Sequence, residues 1–188
     1  MEIKMLNHNG TKTIKTERLT LRRFEIGDAD AMFNNWANDP EVTKFLTWTP
    51  HGSVELTKQL LGAWCASYES DNYYNWAIEF EGEIIGNISV VQVSDKHEKA
   101  VLGYCMGKKW WGRGIMTEAA RAIIGYLFET IGFHRIEIWH AVKNPASGAV
   151  ARKCGCTLEG VKRQEFKSVW GEFLDIAEYA ILRDEWGI

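Results

Sequence analysis

The chain has no apolar run near the ~20 residues that a bilayer span requires, so no membrane partner is expected. It has no excess of basic residues either: 22 Lys and Arg stand against 25 Asp and Glu, a net charge of −3. General attraction to nucleic acid is thereby excluded, and any basic site has to be local. The polar stretch 1–15 lacks the continuous apolar core of a signal peptide and is expected to fray. Four cysteines, Cys65, Cys105, Cys154 and Cys156, form no CxxC pair, and the five histidines have no ligand spacing, so no metal is expected. Cys154-Gly155-Cys156 reads as structural rather than as half of a metal or redox motif, and reduced thiols fit a cytoplasmic protein. Repeats, low-complexity tracts and linkers are also missing. What remains is 188 residues, 46% hydrophobic and 25% charged, enough for one well-buried domain over 16–188.

The pattern along that domain is mixed. Arg18 to Phe24 alternates as a strand, Asp28 is placed to cap a helix carrying Met32 and Trp36, and Asp39-Pro40 ends it. Ser53 caps a helix through Leu56, Leu60, Leu61 and Trp64. Asn75 to Phe80 and Glu83 to Val93 make a hairpin across Glu81-Gly82. The rhythm then becomes strand (Val101 to Met106), helix (Ile115 to Thr130, stopped by Gly132), strand (His134 to Val142), and helix (Pro145 to Gly155). Two strands, Thr157 to Arg163 and Glu172 to Leu182, follow.

Lys109-Trp110-Trp111-Gly112-Arg113-Gly114-Ile115 sits between a strand and a helix, where Gly112 and Gly114 allow a tight turn and a close backbone approach. The first N–H groups of the helix then point at the loop, and Lys109 and Arg113 add charge, a combination suited to a pyrophosphate. A Rossmann dinucleotide site is disfavoured, because Thr117 occupies the third glycine position and a hairpin precedes the motif.

The glycine loop, Asn144-Pro145-x-Ser147, and the ends Thr16-Glu17-Arg18-Leu19-x-Leu21-Arg22 and Asp175-x-x-x-Tyr179 together resemble the Gcn5-related N-acetyltransferase (GNAT) superfamily. Gly86-x-Ile88, Gly103-Tyr104 and Leu158-Glu159-Gly160 resemble its Rim-type branch, which acetylates protein N-termini, ribosomal ones included. The resemblance implies an α+β GNAT fold: a mostly antiparallel sheet of about seven strands with one splayed parallel pair, flanked by about four helices. It implies acetyl-CoA as cosubstrate, with pantetheine and the thioester on the backbone of Tyr104, Cys105 and Met106. Lys109, Gly112, Arg113 and Gly114 would take the pyrophosphate, and Asn144 the cofactor arm, although Asn144 also reads as a helix cap.

An N-terminal α-amine is the easier acceptor, since its neutral fraction at pH 7 exceeds that of lysine by roughly 250-fold. Two common family features are missing: Val101 and Leu102 stand where many relatives carry a glutamate, and Ala151 where many carry a tyrosine. By the resemblance, Ser147 replaces that tyrosine and also borders the cofactor, Glu165 is the base, and Tyr179 is a second proton donor. The bland alternatives are a helix-start serine, a solvated carboxylate and a core aromatic. Trp48, with His51, would wall the acceptor pocket, or else simply pack its loop. A polyamine or antibiotic acceptor and a non-catalytic CoA-binding regulator are the other readings. Oligomeric state stays open, with a homodimer the form that relatives suggest.

Overall fold

The computed structural model describes residues 6–187. Its elements run β1 (Ile14–Lys15), β2 (Leu19–Arg22), α1 (Ala29–Met32), α2 (Pro40–Thr43), α3 (Val54–Ser67), β3 (Asn75–Phe80), β4 (Glu83–Ser94) and β5 (Lys99–Met106). They continue as α4 (Ile115–Tyr126), β6 (Arg135–Ala141), α5 (Pro145–Lys153), β7 (Thr157–Lys167) and β8 (Phe173–Leu182). The strands form one sheet in the order β1-β2-β3-β4-β5-β6-β8-β7, with β5–β6 parallel and the other pairs antiparallel. This is the expected mixed α+β fold; the described residues form eight strands and five α-helices, close to the about seven and about four expected.

The additional elements have local causes. The helical stretch through Trp36 ends at Ala37, just before Asp39-Pro40 as expected, and Pro40 also opens α2, because proline suits the first helical position and the Asp39 side chain accepts from Glu41 N–H. The stretch expected to fray is held from residue 6 onward: Asn7 N–H donates to Ile131 O at 2.9 Å, and Trp76 Nε1 donates to Lys12 O at 2.7 Å. Residues 1–5 of that stretch lie outside the described residues. Asp28 does not cap α1 with its side chain; its carboxylate accepts from Glu25 N–H at 2.8 Å in the turn just before and is held by both terminal nitrogens of Arg22 at 2.8 and 2.9 Å. Strand β7 runs on to Lys167, past the expected Arg163, across an irregular register between Lys162 and Phe166.

Two apolar clusters cover the two faces of the sheet. The larger joins Trp76, Ile78, Ile88, Leu102, Ile136 and Ile138 to Ile115, Ala119, Ile123 and Ile124 of α4. The smaller packs Met32, Trp36 and Leu61 against Ala77 and Ile84. Among the described residues no helix is long and apolar enough to cross a membrane.

Strands β5 and β6 set up the site. They pair from Lys99↔Arg135 to Leu102↔Ile138 and no further, although each continues for three or four residues. Each is held by its outer neighbour instead: β5 stays on β4 as far as Gly86↔Met106, and β6 stays on β8 as far as Ala141↔Ile176. Gly86 makes the first of these possible, since a Cβ there would lie 2.5 Å from Cys105 O and 2.9 Å from Met106 Cα. The strands therefore part.

Candidate functional site

Main-chain direction along β5 follows from its two ends. Glu98 C=O accepts from His134 and Arg135 N–H, on the β6 side, and Gly107 N–H donates to Ile85 O, on the β4 side. The two-residue alternation then turns the backbone of Tyr104 and Met106 toward β6, beyond the point where β6 pairs. Met106 C=O takes the indole N–H of Trp111 at 2.7 Å. The N–H groups of Tyr104 and Met106 and the carbonyl of Tyr104 face the split without a strand partner. Buried backbone groups rarely stay unpaired, so this edge suits a ligand that adds the missing pairing. Cys105, expected with them, is different: its main chain belongs to β4, and its thiol donates to Asn87 Oδ1 at 2.9 Å. Burial pushes that thiol up to about 12, so it is not a nucleophile.

The split opens into a cleft of about 450 Å³. Tyr104, Cys105 and Met106 form one wall, Asn144 to Lys153 of α5 the other, and Gly112 to Thr117 one end. Gly112 and Gly114 are exposed, both with φ +75°, a backbone conformation that suits glycine. No side chain caps α4, so the N–H groups of Ile115, Met116 and Thr117 end at the cleft. A chain of amides thus runs from Tyr104 to Thr117 around a space suited to an anionic ligand.

Across the split, the two walls touch through polar side chains. Tyr104 Oη lies 3.0 Å from Ser147 Oγ and 3.2 Å from Ser147 O. Burial pushes the Tyr104 phenol above its ordinary range, so it stays a donor. Asn144 Oδ1 accepts from Ser147 N–H at 3.4 Å, so Asn144 caps α5 while also lining the cleft.

Several expected residues lie elsewhere. Lys109 approaches Glu83 at 3.5 Å and stacks over Trp110, and Arg113 stacks over Phe80, so neither lines the cleft. Its lysines are Lys44 and Lys153. Tyr179 is buried against His140, accepts from Arg152 Nη1 at 3.0 Å and is outside the lining. Trp48 and His51 pack on each other, with ring centres 5.2 Å apart, and His51 Nδ1 sits 2.8 Å from Thr57 Oγ1. The wall expected of them comes from Val42, Phe45 and Leu46. Glu165 is exposed on β7, outside the lining, so Glu165→Gln is expected to leave the pH–rate profile in place; loss of its basic limb would return Glu165 to the mechanism. Sequence reasoning missed residues 41–46 altogether. Lys153 was legible, because Ala146, Val150 and Lys153 share one helical face.

A parted parallel strand pair ending in a glycine turn and an uncapped helix is the architecture of an acyltransferase that takes its acyl group from a CoA thioester. The sequence profile of the acetyltransferase (GNAT) domain matches residues 18–157, and the chain belongs to this family of N-acetyltransferases. It is 29% identical over 177 residues to p20 of Bacillus licheniformis, an uncharacterized N-acetyltransferase, covering 93% of this chain and 98% of that one. It is 34% identical over 108 residues to the ribosomal protein uS5-alanine N-acetyltransferase of Escherichia coli, which covers 56% of this chain and 55% of that one. Among solved structures, RimL, a ribosomal L7/L12 alpha-N-protein acetyltransferase in complex with coenzyme A, superposes with a TM-score of 0.83 at 24% identity. That match covers 93% of this chain and 99% of RimL and bears on the fold.

Proposed function

We propose that this protein transfers the acetyl group of acetyl-CoA directly to a primary amine, and that the acceptor is a protein N-terminal α-amine. One observation carries the reading: the unpaired main chain of Tyr104 and Met106 continues into the glycine turn and the uncapped start of α4. The relative named as a ribosomal protein uS5-alanine N-acetyltransferase favours a protein acceptor.

The residues fit acetyl-CoA. The free main-chain groups of Tyr104 and Met106 would hold the amides of the arm and polarise the thioester carbonyl. The turn at Gly112 and Gly114 and the start of α4 would hold the diphosphate, with Lys153 and Lys44 as the positive charges in the lining. Asn144 borders the arm. Bound acetyl-CoA supplies the acyl group as an activated thioester. Tyr104 orients Ser147, whose hydroxyl donates toward the departing sulfur. No carboxylate on β5 is required, because an α-amine is partly neutral near pH 7.

The test is free-thiol release from acetyl-CoA in the presence of peptides with free α-amines, polyamines and aminoglycosides. Peptides are expected to release thiol and to gain acetyl at the N-terminus by mass spectrometry. Release with polyamines or aminoglycosides alone would move the acceptor to small amines. Binding of acetyl-CoA without release to any amine would make the chain a regulator.

A further inference from the structure

Apart from Glu41, the charged residues lining the cleft are Lys44 and Lys153, as befits a polyanionic cosubstrate. Glu41 is the only carboxylate lining it among the described residues. It stands at the exposed mouth, on α2, with Oε2 2.6 Å from Nζ of Lys108 in the turn after β5. A carboxylate facing a polyanion is repelled, so it needs a cation of its own. Lys108 supplies one from outside the lining, and the reaction supplies a second, the protonated acceptor.

Resting on the acceptor class proposed above, we infer that Glu41 is the residue that docks the acceptor's ammonium group at the mouth of the cleft. Lys108, hydrogen-bonded to Glu41, and the nearby Lys44 hold the carboxyl below its ordinary range, and Asp39 acts in turn on Lys108. Glu41 thus stays ionised throughout the range in which an α-amine titrates. The same shift makes it a weak base. Its role is to place the nitrogen before the proton leaves to water, which separates it from the role expected of Glu165. The lining places Glu41 on the same segment as Val42, Phe45 and Leu46, so the amine and the apolar side chain beside it would meet one continuous wall.

Charge is what a test has to isolate. Peptide binding is measured by calorimetry on the protein saturated with CoA, for wild type and Glu41→Gln, at pH 6.5 and pH 9.5. A free N-terminal peptide and its N-acetylated form are compared. At pH 6.5, Glu41→Gln is expected to weaken the free peptide by about fivefold, the scale of a rim-exposed ion pair. At pH 9.5, above the reference α-amine value near 8, the deficit should shrink toward none. The acetylated peptide and CoA itself should bind both proteins alike. Equal weakening of the free and acetylated peptides would overturn the proposal and make Glu41 structural. Weakened CoA binding would also overturn it, making the Glu41–Lys108 pair a latch on the cofactor. Unaltered binding of the free peptide to Glu41→Gln, in a protein whose wild type acetylates that peptide, would sink this inference alone. Failure of the wild type to acetylate any peptide would instead sink the acceptor reading on which it stands.

Discussion

Replacing Ser147 by alanine is expected to lower turnover by about a hundredfold while acetyl-CoA binds as before. The separation follows from what the side chain touches. Its hydroxyl meets Tyr104 Oη at 3.0 Å, and Tyr104 Oη also reaches Ser147 O at 3.2 Å. In the alanine variant the phenol keeps that carbonyl as a partner, so no buried polar group is stranded and α5 keeps its place. The main-chain amides that hold the cofactor are untouched. What is lost is a donor aimed at the sulfur as charge develops on it, and that loss falls on the transition state. Tyr104→Phe should cost less, about tenfold, because the serine remains but loses its orienting partner. Thiol-release kinetics beside calorimetric binding of acetyl-CoA make the comparison. Parallel losses of binding and turnover in Ser147→Ala would instead make Ser147 a cofactor ligand.

The second large effect is structural. Gly86→Ala is expected to lose about 1–3 kcal/mol of stability, with a melting temperature lower by several degrees. A methyl at this position would lie 2.5 Å from a carbonyl oxygen and 2.9 Å from a Cα, both on β5, and main-chain atoms can retreat only by moving the strand. Moving β5 off β4 pushes it toward β6 and narrows the split. Cofactor affinity should therefore fall even at temperatures where the variant is folded by circular dichroism. Gly103→Ala is the control: its methyl would meet Val91 Cγ1 at 2.7 Å, but that side chain is 58% exposed and free to rotate away. If the two variants melt alike, close packing of β4 on β5 is not what holds the split open.

Much of this was legible in the chain itself, for identifiable reasons. Glycines that must adopt positive φ, such as Gly112, Gly114 and Gly132, announce turns because other residues resist that conformation. The change from period two to helical spacing after Met106 located the cleft's glycine turn. Asn144-Pro145 marked the start of α5 through capping chemistry that depends on near neighbours alone. Those local motifs carried the family resemblance, and it was the resemblance that implied one neighbourhood for Tyr104, Met106, Asn144 and Ser147. Other positions obeyed distant partners. Lys109 follows Glu83, Arg113 follows Phe80, and Tyr179 follows Arg152, and each pairing joins elements far apart in sequence. Periodicity says which face a residue shares, but not which charge waits opposite.

The amino-acid order by itself determined all the elements but the short β1 and α2, together with the glycine turn and the family resemblance, because these depend on backbone preferences and on motifs spaced within a few residues. Tertiary structure decided which side chains look into the cleft. It turned Cys105 to β4, left Glu165 on an outer strand and brought residues 41–46 across the sheet to supply both a wall and a carboxylate. The physical reason is that a side chain's direction is settled by the strongest partner within reach, and that partner is chosen by the folding of the whole chain.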